Sequence, residues 1–159
     1  MLLHRITDPQ FADDLSGEGA RLYGGRWNPK GIPLIYTAES VALAALEVLV
    51  RLTTPKLYHR VTYELPDDTS TELLTLAELP PNWIHPFPNI WLMEFGKSWA
   101  MEKRSLMLKV PSAVVHGEGW NFILNPLHPQ SQTISILNVA PFAFDPRLTT
   151  LLLPRNDRY

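Results

Sequence analysis

The sequence contains no cysteine among its 159 residues. This absence excludes a disulfide framework, a thiolate metal site and a cysteine nucleophile. An excess of cations is also absent, because 14 lysines and arginines stand against 16 aspartates and glutamates, a formal net charge of −2. Such a balance argues against a protein that binds nucleic acid through electrostatics, and we expect no direct nucleic-acid binding.

Long apolar runs are absent as well. The longest, residues 41–52, is interrupted by Glu47 and Arg51, whereas a membrane span needs about 20 apolar residues. The first residues also lack an apolar stretch of signal-peptide length. We therefore expect a cytoplasmic protein that does not associate with a membrane. Hydrophobic residues make up 45% of the chain, which excludes disorder as its main state.

Apolar periodicity and the positions of 15 prolines divide the chain into short elements. The patterns predict helices at residues 41–52, 71–79 and 90–103. They predict strands at residues 2–6, 33–37, 57–65, 106–110, 113–115, 121–124, 133–139 and 151–153. Neither a repeat nor a linker interrupts this mixture. It predicts the α+β fold class, with a single compact domain over residues 1–159.

The common nucleotide-binding and hydrolase motifs fail on spacing. Gly96-Lys97-Ser98 lacks the upstream glycine of a phosphate loop, because position 91 is tryptophan. Gly17-Glu18-Gly19 lacks the third glycine of a dinucleotide fingerprint, because position 22 is leucine. The five histidines show no metal-ligand spacing, and Ser112 lacks the flanking glycines of a nucleophile elbow. We expect no metal site.

Two polar residues stand out once these motifs are set aside. Arg26 follows two glycines, and a guanidinium beside an approachable backbone suits a phosphate or carboxylate. The alternative for Arg26 is a turn that carries a surface arginine. Glu47 has three apolar residues among its four helical neighbours at i±3 and i±4. It is therefore either held at a site or paired with Arg51 on an exposed helix face.

Aromatic residues lie near Arg26 in the sequence. Trp27 and Tyr36 would offer faces to a planar, positively charged ring. The alternative for both is core packing. The stripe Trp91, Phe95 and Trp99 repeats at helical spacing, which favours core packing outright.

Several ordered blocks of the sequence resemble the RES domain family. The blocks read DLSGEGARLYGGRWNP at 14–29, GIPLIYTAES at 31–40, ALAALEVLV at 42–50, VPSAVV at 110–115 and NFILNPLHP at 121–129. The resemblance extends from about residue 3 to residue 139. It implies an ADP-ribosyltransferase-like fold with mixed sheets and several helices.

The resemblance also implies a function. RES proteins are toxins of bacterial type II toxin–antitoxin systems, and they destroy NAD+ by hydrolysis or phosphorolysis of the nicotinamide–ribose bond. NAD+ is then a substrate, with inorganic phosphate as a co-substrate in phosphorolysis, and no resident cofactor is expected. The implied partner is an Xre-like helix-turn-helix antitoxin in a hetero-oligomeric complex. Two alternatives stay open: ADP-ribosylation of a protein target, and a non-catalytic module that only binds its antitoxin.

Site residues follow from the resemblance position by position. The expected catalytic residues are Glu47, Arg26 and Tyr36, and the expected substrate-binding residues are Arg5, Trp27, Ser112 and Asn125. Glu47 would stabilise positive charge on the ribose, and the two arginines would hold the pyrophosphate. The aromatic pair would pack on the nicotinamide, and Ser112 would hydrogen-bond near it.

Overall fold

Seven strands form one mixed sheet in a computed structural model that describes residues 1–52, 56–86 and 88–149. The strands are β1 (Leu2–Thr7), β2 (Ile35–Ala38), β3 (Tyr58–Glu64), β4 (Thr71–Leu73), β5 (Met107–Pro111), β6 (Trp120–Leu124) and β7 (Ser135–Phe142). Their order across the sheet is β4-β5-β6-β2-β1-β3-β7. All neighbours are antiparallel except β4 and β5, which are parallel. The predicted α+β class is confirmed.

Four α-helices accompany the described part of the sheet. They are α1 (Glu18–Tyr23), α2 (Val41–Leu49), α3 (Ile90–Met101) and α4 (Pro146–Thr149). The two longer ones begin at side-chain caps, because Ser40 accepts a hydrogen bond from the amide of Leu43 and Asn89 accepts one from the amide of Leu92. The predicted helices over residues 41–52 and 90–103 are thus confirmed with slightly shorter ends.

Two element predictions are wrong, and long-range contacts explain both. Residues 71–79 are not one helix, because Thr71–Leu73 pairs in parallel with β5 and a separate 3-10 turn covers Leu76–Glu78. Residues 113–115 are not a strand but part of the turn between β5 and β6. That turn closes through hydrogen bonds from the Ser112 amide to the Gly119 carbonyl and from the Gly117 amide to the Ser112 carbonyl. The predicted strand at residues 151–153 lies outside the described residues.

Helix α3 packs closely against the loop that carries Arg26. A β-carbon at Gly96 would overlap the carbonyl oxygen of Trp27 and would lie 2.9 Å from its carbonyl carbon. The Gly96-Lys97-Ser98 segment is therefore explained by helix packing. The aromatic stripe on α3 is only partly core, which corrects the expectation: Trp99 is fully buried, whereas Trp91 is 42% exposed and stacks on Phe95.

The sheet is weakly joined at its centre, and this seam positions the site. The register between β1 and β2 consists of one pair, His4 with Ala38. In contrast, β1 pairs with β3 along six positions and β2 pairs with β6 along four. Beyond the single pair, residues 5–7 of β1 and residues 36–37 of β2 line a common cavity. Helix α2 packs over this seam and forms one of its walls.

Candidate functional site

A cleft with two lobes opens at the seam of the sheet. The first lobe has a volume of about 340 Å³ and is lined by β1, β2, α1 and α2. The second has a volume of about 510 Å³ and is lined by the loop at residues 24–30, the end of α2 and the segment before α3. Four residues line both lobes: Tyr23, Gly24, Glu47 and Arg51. A cleft of this size accommodates an elongated small molecule.

Glu47 stands at the boundary of the lobes and is held by two donors. The hydroxyl of Ser112 donates to Glu47 Oε1 at 2.7 Å, and Nδ2 of Asn121 donates to the same oxygen at 2.5 Å. Ser112 follows the end of β5, and Asn121 lies on β6 opposite Val110. The carboxylate of a helix is therefore fixed by two neighbouring strands that are far from it in sequence.

The second oxygen of this carboxylate, Oε2, accepts no hydrogen bond within the described residues. Nor does an ion pair join Glu47 to Arg51 in that part of the chain. The surface ion pair that the sequence left open is thus not formed. An oriented carboxylate with one oxygen available can accept a ligand hydroxyl or stabilise a positive charge that develops beside it.

Glycine is required in the loop that presents Arg26. Gly24 has a φ of 73°, a conformation that other residues rarely adopt. A β-carbon at Gly25 would lie 2.5 Å from the hydroxyl oxygen of Tyr36 and 2.9 Å from Oδ1 of Asn28. The two glycines therefore let the loop turn and let its backbone approach the phenol ring.

Tyr36 joins this loop to the sheet. Its hydroxyl donates to Oδ1 of Asn28 at 2.6 Å and accepts from the amide of Trp27 at 3.0 Å. The Asn28 amide in turn donates to the carbonyls of Ala20, Pro29 and Ile32. Burial raises the pKa of Tyr36, so the phenol keeps its proton at neutral pH. Its ring lines the first lobe, while its hydroxyl organises the loop.

Arg26 lines the second lobe and is anchored through one nitrogen. Its Nη1 donates to the carbonyl of Trp83 at 2.7 Å and to the carbonyl of His85 at 3.2 Å. Burial lowers the pKa of Arg26, the nearby Arg51 lowers it further, and Glu47 acts in the opposite direction. The guanidinium stays charged regardless. Arg51 and the Glu47 carboxylate, which line both lobes, are therefore near enough to Arg26 to act on its charge.

Arg5 lines the first lobe. Its Nη1 donates a hydrogen bond to the hydroxyl of Tyr63 at 3.5 Å. Asp14 lies close enough to Arg5 for the guanidinium to lower the pKa of the Asp14 carboxyl. Burial raises the pKa of Asp14, but hydrogen bonds from Ser16 and the Glu18 amide, together with Arg5, outweigh burial and lower it. The charge of Arg5 is thus partly offset by a neighbouring carboxylate.

Three of the four predicted substrate-binding residues line neither lobe: Trp27, Ser112 and Asn125. Trp27 is 3% exposed and packs edge-to-face on Phe95 inside the core. Asn125 is fully buried, where its amide donates to the Ala100 carbonyl and its Oδ1 accepts from the Leu127 amide. The structure brings Arg5, Tyr36 and Glu47 to the first lobe, brings Arg26 and Glu47 to the second, and connects Ser112 to the site through Glu47.

Sequence reasoning missed two residues of the cleft. Asn121 carried a usable signal, because asparagine is disfavoured inside strands unless its side chain has a specific partner. Arg51 was considered only as a surface partner of Glu47. Arg51 lies four residues after Glu47, a spacing that predicts that the two side chains are near each other. Only the folded chain shows that both border the cleft.

The described residues contain no group of three or more histidine, aspartate or glutamate side chains placed to hold a metal ion. Among the helices described, none is long and apolar enough to cross a membrane.

Comparisons with known proteins agree on one family. A family model described as RES domain matches residues 2–145. The "Prs ADP-ribosylating toxin" of Sphingobium sp. (strain YBL2) is 39% identical over 142 residues, which cover 86% of this chain and 88% of that protein. A "Toxin Res" of Yersinia enterocolitica is 40% identical over 153 residues, which cover 93% and 99% of the two chains.

A third relative is the "NAD(+) phosphorylase MbcT" of Mycobacterium tuberculosis, which is 57% identical over 37 residues, 23% of this chain and 20% of that protein. The crystal structure of the M. tuberculosis MbcT–MbcA toxin–antitoxin complex contains a chain of the same fold. It superposes with a TM-score of 0.69 at 22% identity and covers 95% of this chain and 87% of that chain.

Proposed function

Since the chain belongs to the RES domain family, we propose that it is a toxin that consumes NAD+ by cleaving the bond between nicotinamide and ribose. The whole chain, residues 1–159, would act as one RES-type domain in the cytoplasm, where NAD+ is available. The names of its relatives support this proposal, since one is an NAD+ phosphorylase and another an ADP-ribosylating toxin. Both reactions begin by breaking the same bond of NAD+.

One observation carries the chemistry: Glu47 is fixed by Ser112 and Asn121 at the junction of two lobes, with its second oxygen available. Cleavage of NAD+ releases a neutral nicotinamide from a pyridinium, so the leaving group needs no proton. Positive charge instead builds on the ribose, as in glycoside cleavage. A preoriented carboxylate stabilises such a charge without having to reorganise.

The other residues of the site and its support have roles that suit their positions. Tyr36 presents a ring to the first lobe, where cation–π attraction favours the charged nicotinamide ring. Arg26 holds the pyrophosphate from the second lobe, Arg5 contacts the dinucleotide from the first lobe, and Ser112 acts by orienting Glu47. The buried Trp27 and Asn125 support the loop and the strand ends from within the core.

The proposed reaction has three possible forms, which differ in the acceptor of the ADP-ribosyl group. Phosphate gives phosphorolysis and water gives hydrolysis, and the relative named as a phosphorylase favours the former. Transfer to a protein is the second candidate, because a relative 39% identical over most of its length is named an ADP-ribosylating toxin. A non-catalytic module would bind NAD+ or an antitoxin without turnover.

We also propose an antitoxin partner with an Xre-like helix-turn-helix. The support is structural, since the neighbour of the same fold was solved in a complex with its antitoxin.

Proton NMR of the purified protein with NAD+, with and without phosphate, tests the proposal. Wild type should release free nicotinamide, and Glu47→Gln should not, while remaining folded. Glu94→Gln is the matched control, because Glu94 lies on α3 and, among the described residues, forms an ion pair only with Lys97 at the surface. It should retain full activity.

The products identify the acceptor. Dependence on phosphate marks phosphorolysis, free ADP-ribose without phosphate marks hydrolysis, and labelled protein marks transfer. Undiminished loss of NAD+ in Glu47→Gln would remove this residue from the reaction. Intact NAD+ in every sample would favour transfer to a specific protein target, or a module that binds without turnover.

A further inference from the structure

The second lobe of the cleft carries more positive charge than the first. Among the described residues, Arg26, Lys30 and Arg51 line it, and Glu47 is its one acidic residue. The first lobe shares Arg51 and Glu47 with the second, and it adds Arg5, which Asp14 partly offsets, and a set of aromatic rings: Phe11, Tyr23, Tyr36 and Tyr58. The two lobes therefore differ in chemistry: the second is the more cationic and the first is the more aromatic.

Arg51 occupies a particular place in this arrangement. It lies on the turn that directly follows α2, four residues after Glu47, and it lines both lobes. Its guanidinium forms no ion pair with any described carboxylate. It is close enough to Arg26 to lower the pKa of that guanidinium.

Arg26 and Arg51 line the same lobe, and neither forms an ion pair with a described carboxylate, which favours a bound anion between them. A diphosphate carries charge on two neighbouring phosphates, and each guanidinium can bind one phosphate through paired donors. Because Arg26 is anchored by the carbonyls of Trp83 and His85, it is the fixed member of the pair. Arg51, which is exposed and unpaired in the described chain, is the adaptable member.

We infer that Arg51 and Arg26 form a diphosphate-binding subsite in the second lobe, which orients the dinucleotide across Glu47. The inference rests on the proposed function and adds a binding residue and a direction to it. With the diphosphate in the second lobe, the nicotinamide ribose lies at the junction beside Glu47, and the nicotinamide ring enters the aromatic first lobe.

Steady-state kinetics and ligand binding together test Arg51. In Arg51→Gln, the KM for NAD+ and the inhibition constant of ADP-ribose should each rise about tenfold or more, while kcat changes little, because the lost contact is equally present in ground and transition states. Arg51→Lys should restore part of the affinity, since it keeps the charge but loses the paired donors. Arg147→Gln, which changes an exposed arginine paired with Asp145, is the control and should behave as wild type.

Adenosine and inorganic pyrophosphate show which part of the ligand Arg51 contacts. Pyrophosphate competition should weaken in Arg51→Gln, whereas the binding of adenosine, which has no phosphate, should not change. Equal loss for adenosine, or no loss for ADP-ribose, would overturn the subsite. Calorimetry with ADP-ribose does not depend on turnover, so failure of the subsite is distinguishable from failure of the proposed reaction, which appears as intact NAD+ with wild type.

Discussion

Gly96→Ala tests how closely α3 supports the loop of the site. Gly96 is buried on the helix face that meets the backbone of Trp27. An added methyl group would overlap the Trp27 carbonyl oxygen, and neither the helix nor this backbone can move aside as a flexible side chain would. The substitution must therefore displace α3 or the loop at residues 24–30.

The expected loss of stability follows from two opposing contributions. Overpacking a well-filled core costs about 1–3 kcal/mol. Because the added methyl group meets the Trp27 backbone, we expect a cost near the upper end of this range. Alanine in a helix is favoured over glycine by about 1 kcal/mol. The net destabilisation is thus about 2 kcal/mol, which lowers the melting temperature of a chain of this length by about 4–8 °C.

Thermal unfolding followed by circular dichroism measures this loss. Ser98→Ala is the matched control, because Ser98 is exposed on the same helix and the change adds only helix propensity. Its melting temperature should stay equal or rise slightly. If Gly96→Ala unfolds at the temperature of the control, the close approach of α3 to Trp27 is refuted.

Two further predictions concern the carboxylate and the seam. Asn121→Ala removes a charge-assisted hydrogen bond to Glu47, worth about 1.5–3 kcal/mol. NAD+ turnover should therefore fall about 10- to 100-fold, whereas Asn138→Ala, at an exposed position on β7, should leave turnover unchanged. Equal rates in the two variants would contradict the role of Asn121 in orienting Glu47. Burial, and then Arg60, lower the pKa of His4 below its ordinary 6.5. The folded state therefore takes up its proton less readily than the unfolded chain, and the stability present above pH 6.5 is lost as the pH falls below it. Urea unfolding at neutral and acidic pH should show a shallower loss in His4→Gln than in wild type, and identical slopes would exclude His4 as a contributor.

Elements whose signals are local could be predicted from the sequence. The helix that carries Glu47 follows from a serine cap and a run of alanine and leucine, and the structure begins it at the expected residue. Strands β1, β3 and β6 follow from short β-branched and aromatic runs, and their bounds differ from the predictions by only one or two residues. The ordered blocks also indicated the RES family, which the comparisons confirm.

Elements decided by distant partners could not be predicted. Residues 71–73 became a strand because β5 offers them a parallel edge. Trp27 followed a pair of glycines and could equally have faced a ligand or the core. The packing of α3 over its backbone placed it in the core.

The sequence by itself determined which chemical groups the site contains, because a carboxylate on a capped helix and an arginine after two glycines are local features. Only the tertiary structure decided how they work together. Asn121 and Ser112 reach one oxygen of Glu47 across more than 60 positions of sequence, and Arg51 faces the cleft instead of pairing with Glu47. Such contacts depend on strand order and on the seam between β1 and β2, which no local pattern specifies.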